Sequence, residues 1–102
     1  MKGNRPHPHG ERIVRIVEEA ISLFNKYRSP EARAKLLGIE GNLVKVLFEG
    51  PFTNTCGVND WVEDLAFILK DLGVNARLKE VVEPSDPLEE WRIGVFEVTG
   101  VA

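Results

Sequence analysis

"GPFTNTCG", residues 50–57, holds the one cysteine of this 102-residue chain. Thiolates bind iron, zinc and sulfur species. The thiolate is favoured at a helix N-terminus, where unpaired N–H groups and the positive end of the helix dipole gather. Cys56 fits that placement, because a helix-period run begins at Asn59 or Asp60. Gly50 and Gly57 let the backbone turn on either side, Pro51 stiffens the way in, and Thr53, Asn54 and Thr55 supply hydrogen-bonding groups. Cys56 is therefore the candidate metal-binding residue, and the loop around it the candidate site. No neighbour in the loop is a second soft ligand, so any cluster must be shared between chains or completed by a partner. The competing reading is packing: a free cysteine is commonly a small buried hydrophobe.

Other chemistries find less support. Both histidines, His7 and His9, lie in "MKGNRPHPHG", where Pro8 hinders a compact chelate, and residues 1–10 read as a flexible solvated tail. With the histidines there, no Ser/His/Asp arrangement is visible, and neither a Walker-type loop nor GxGxxG occurs. The acids are scattered over helix surfaces, so no catalytic carboxylate pair stands out. "GIEG", residues 38–41, has the GxxG spacing of KH-type nucleic-acid domains, but Glu40 would face phosphate, and a turn is the better reading. Trp61 and Trp91 suit ligand stacking in principle. Trp61 falls on an apolar stripe and is assigned to the core, while Trp91 follows the acids Asp86, Glu89 and Glu90, which show no regular metal-ligand spacing. Enzymatic activity is unsupported.

Composition sets the class. One domain of this length buries roughly 60–70% of its unfolded surface and needs no staples. Residues 11–102 are assigned to that single domain. Hydrophobic residues make up 43% and charged residues 28%, a globular balance. A net charge of −3 disfavours nucleic acid, which needs a clustered basic surface. One cysteine rules out an intramolecular disulfide framework. No apolar stretch approaches the ~18 residues of a membrane span, and the start lacks an apolar signal core, so a cytoplasmic location is expected. The absence of Gln beside abundant Glu, Lys and Arg suits a heat-adapted source.

Periodicity gives the elements. Ile13, Ile16, Val17, Ala20, Phe24 and Tyr27 recur at helical spacing, predicting a helix over 11–28 that stops before Pro30. "SPEARAKLLGIEG" carries a helix-start signal at Ser29-Pro30-Glu31, yet Gly41-Asn42 offers hairpin chemistry. The hairpin is preferred, with 34–39 opposite 43–48. Leu43, Val44, Val46, Leu47 and Phe48 form an almost continuous apolar run, as in a central strand. A second helix is predicted over 59–72, capped by Asn59 or by Asp60 in a box with Glu63, and ended by Gly73. "VNARLKEVV" and "WRIGVFEVTG" read as strands. The expected fold is a two-layer α+β sandwich of order α-β-β-α-β-β, both helices on one face of a mainly antiparallel sheet. Both apolar stripes should face residues 43–48.

The stretch "GIEGNLVKVLFEGPFTNTCGVNDWVEDLAFILKDLGV" resembles the core of the Fe–S cluster assembly domain superfamily, which includes NifU C-terminal and PaaD-like proteins. The likeness covers residues 12–82: a helix, a hairpin ending in a V-x-V strand, a Cys-containing loop, an amphipathic helix and a strand. "SPE" and Pro51 are similar to features of the PaaD-like branch. The NifU branch has a CxxC here; Phe52 and Thr55 fall near those places and Cys56 one position later. The PaaD-like branch has one cysteine, which Cys56 matches after a short insertion. The resemblance implies a small noncatalytic accessory or chaperone of cluster assembly holding a transient Fe–S cluster at Cys56, or a relative that kept the fold without the metal. A protein-interaction module is the alternative and KH-like binding the third reading. The expected partner is another protein or further copies of the chain, the latter meeting through the last strand, Trp91–Thr99, at a sheet edge. Membranes and nucleic acid are not expected partners.

Overall fold

A computed structural model describes residues 8–101, with side chains from Glu11 onward. The expected tail lies outside the described residues as far as His7, and so does the side chain of His9; residues 8–10 instead form the first turn of a helix. This helix, α1 (Pro8–Arg28), starts before the apolar stripe does. Proline is tolerated in a first turn, where its missing N–H has no acceptor to lose. Val17, Ala20, Ile21 and Phe24 reach the core, but Tyr27 stands 68% exposed at the flank of the stripe in the last turn. Its ring meets Lys26 Nζ at 5.8 Å instead.

The chain then turns and returns as β1 (Arg33–Glu40) paired with β2 (Leu43–Glu49). The register is the expected one, Ala34 opposite Phe48 and Ile39 opposite Val44, with a bulge between Leu36 and Gly38. Gly41 (φ 61°) makes the turn, so "GIEG" closes a hairpin and joins no helices. Asn25 clamps β1 to α1: its Nδ2 donates to the Ala34 carbonyl (3.0 Å), and its Oδ1 accepts the Ala34 N–H (2.6 Å). Main-chain groups of an edge strand thereby find partners.

Helix α2 (Val58–Asp71) begins earlier than its expected caps. Gly57 is the N-cap and makes no side-chain cap bond, so neither Asn59 nor Asp60 caps the helix. Packing explains the shift: Val58 lies against the core and draws the chain into the helix. Val62, Leu65, Ala66 and Leu69 are buried, and Gly73 (φ 100°) follows the last turn as a left-handed glycine.

The remaining strands are β3 (Val74–Val82) and β4 (Trp91–Val101), and the antiparallel sheet runs β1-β2-β4-β3. The last strand is thus not at an edge. It bonds β2 along one side and β3 along the other, and the edges are β1 and β3. A strand with Ile93 and Val95 on one face, Phe96 on the other and no proline suits an interior place. Without β4 the segment 12–82 leaves β3 with no strand beside it and β2 paired to β1 alone. Both helices cover one face, packing on Val44, Val46, Phe48 and Phe96. Phe24 meets Phe48 edge-on at 5.3 Å. Leu43 and Leu47 point to the other face, so only half of the apolar run meets the helices.

Candidate functional site

The Cys56 loop is built around Phe52. Gly50 leaves β2 at φ 138°, a value that L side chains rarely adopt, and its N–H donates to the Glu90 carbonyl (3.0 Å). A Cβ at this position would run into the Glu31 carbonyl oxygen. Pro51–Asn54 then form one 3₁₀ turn, which buries Phe52 completely. The Phe52 N–H donates to Glu31 O (3.0 Å), and its ring lies 6.1 Å from Trp61. Sequence reasoning missed this anchor, because the apolar spacing around it matches neither helix nor strand.

The two threonine side chains of the loop are spent on the loop itself. Thr53 Oγ1 donates to Gly50 O (3.0 Å), and Thr55 Oγ1 to Phe52 O (2.7 Å). Asn54 Nδ2 donates to Glu90 Oε2 (2.7 Å), tying the loop to the acidic segment before β4. Gly57, at φ −106°, needs no glycine. Cys56 itself is free and exposed, two residues before the first residue of α2. The first intrahelical bond there is Trp61 N–H to Gly57 O (3.0 Å), so earlier N–H groups of the first turn have no helical acceptor. Asp60 leans back over that end, its Oδ2 lying 3.5 Å from where a Gly57 Cβ would stand. The thiol therefore shares the positive end of α2 with a carboxylate. Among the described residues, no three of His, Cys, Asp and Glu gather as a metal-binding group.

Two charged groups nearby are structural. Arg28 stacks over Trp61 (5.6 Å) and pairs with Asp64, which joins α1 to α2. Arg92 is 9% exposed; its Nη1 donates to the carbonyls of Trp91 (2.6 Å) and Glu89 (3.4 Å), while Nε is buried without a partner. Strand alternation was the available signal for Arg92, since it places Arg92 on the same face as Gly94 and Phe96.

The second feature is the sheet face that carries no helix among the described residues. The cross-strand register sends Leu43, Leu47, Ile93 and Val95 to it. Val95 is only 7% exposed yet stands outside the helix-covered core, so its burial comes from neighbours on its own face. Leu37, displaced by the bulge in β1, is 48% exposed, and with Lys45 and Val82 it borders a shallow hollow of ≈ 360 Å³. Trp91 is half-buried on the same face, opposite Glu49. Glu97 accepts from Arg77 Nε (2.8 Å), and this hydrogen bond together with the guanidinium charge holds its carboxyl below the usual carboxylate range. No helix among the described residues is long and apolar enough to cross a membrane.

Comparison with family models, curated proteins and solved structures finds no match for this chain.

Proposed function

We propose that this chain is a noncatalytic, cytoplasmic protein-interaction module that works through its open sheet face. One observation carries the reading: Leu43, Leu47, Ile93 and Val95 form a cluster on a face that no helix among the described residues covers. Apolar patches of this kind, rimmed by charge, are characteristic of protein contact surfaces. A photoreactive side chain placed in cells at position 47 should give discrete protein adducts. The same probe at Glu19, exposed on α1, should not. Failure to form any adduct specific to position 47 would sink this reading.

The iron–sulfur accessory reading stands second, supported by the exposure of Cys56 at the mouth of α2. A cluster at this thiol takes its other ligands from further chains. Anaerobic incubation with iron and sulfide, wild type beside Cys56→Ser, tests it. Protein-bound charge-transfer absorbance that disappears in the variant supports a cluster, and equal behaviour of the two removes the reading.

A further inference from the structure

We draw no further inference here: the strongest candidate, the apolar patch of Leu43, Leu47, Ile93 and Val95 on the sheet face that carries no helix among the described residues, belongs to the surface already described, and nothing in the structure shows what covers it.

Discussion

Gly94 is the point where α2 rests on the sheet, and adding one methyl group there tests the packing directly. A Cβ at Gly94 would stand 2.8 Å from Val62 Cγ1, 2.9 Å from Phe96 Cε1 and 3.1 Å from Phe48 Cε1. Ordinary contact begins near 3.4 Å, so three side chains must withdraw by several tenths of an ångström. All three are 0% exposed, which leaves no solvent side into which they can move. Overpacking of this kind costs about 1–3 kcal/mol. For a domain of this size, that corresponds to a fall in Tm of about 5–20 °C. Gly94→Ala should therefore lower the urea midpoint, followed by circular dichroism, with little change in m. Val62→Ala alone removes buried methyls and should cost roughly 2 kcal/mol. Combined, the two should cost less than their sum by about 1 kcal/mol or more, because each relieves the other. Gly38→Ala is the control, since nothing lies within 4 Å of its Cβ. A Gly94→Ala protein as stable as wild type, or strict additivity with Val62→Ala, would refute the proposed seat of α2.

Three further outcomes follow from the loop and the rim. Gly50→Ala, at φ 138° and against the Glu31 carbonyl, should destabilise by about 2 kcal/mol or more, whereas Gly57→Ala should stay within about 0.5 kcal/mol of wild type; paired urea titrations decide, and equal costs would contradict the loop geometry. Cys56, being exposed, should react to completion with a thiol reagent in the native protein, one equivalent per chain; labelling that requires denaturant would place it in the core. Glu97 titrates below the usual carboxylate range, so its pairing with Arg77 contributes stability above the unfolded-state pKa, and that contribution is lost as pH falls through the lowered folded value; Arg77→Ala should move the Glu97 midpoint upward in an NMR titration, and an unmoved midpoint would exclude Arg77 as the cause.

Local signals determined much of this chain. The 3.6-residue stripe of Val17, Ala20 and Phe24, the break at Pro30, the turn at Gly41-Asn42 and the glycine at 73 each act within a few residues, and each sits where the sequence alone placed it. The hairpin register follows from the same range of interactions, because the two-residue turn and the alternation of Val44, Val46 and Phe48 agree. The apolar residues of β2 also announced an interior strand with two apolar faces. Sequence could not say what would cover the second face. That depended on β4 entering between β2 and β3, which pairs β2 with residues 42–54 positions away, beyond the reach of local signals. The start of α2 was likewise a tertiary matter, since burial of Val58 outweighed the cap propensity of Asn59 and Asp60, worth only about 1 kcal/mol. Cys56 shows the same division. Its place before a helix was legible from spacing, but its exposure was decided by Phe52, which fills the core beneath the loop and leaves the thiol outside.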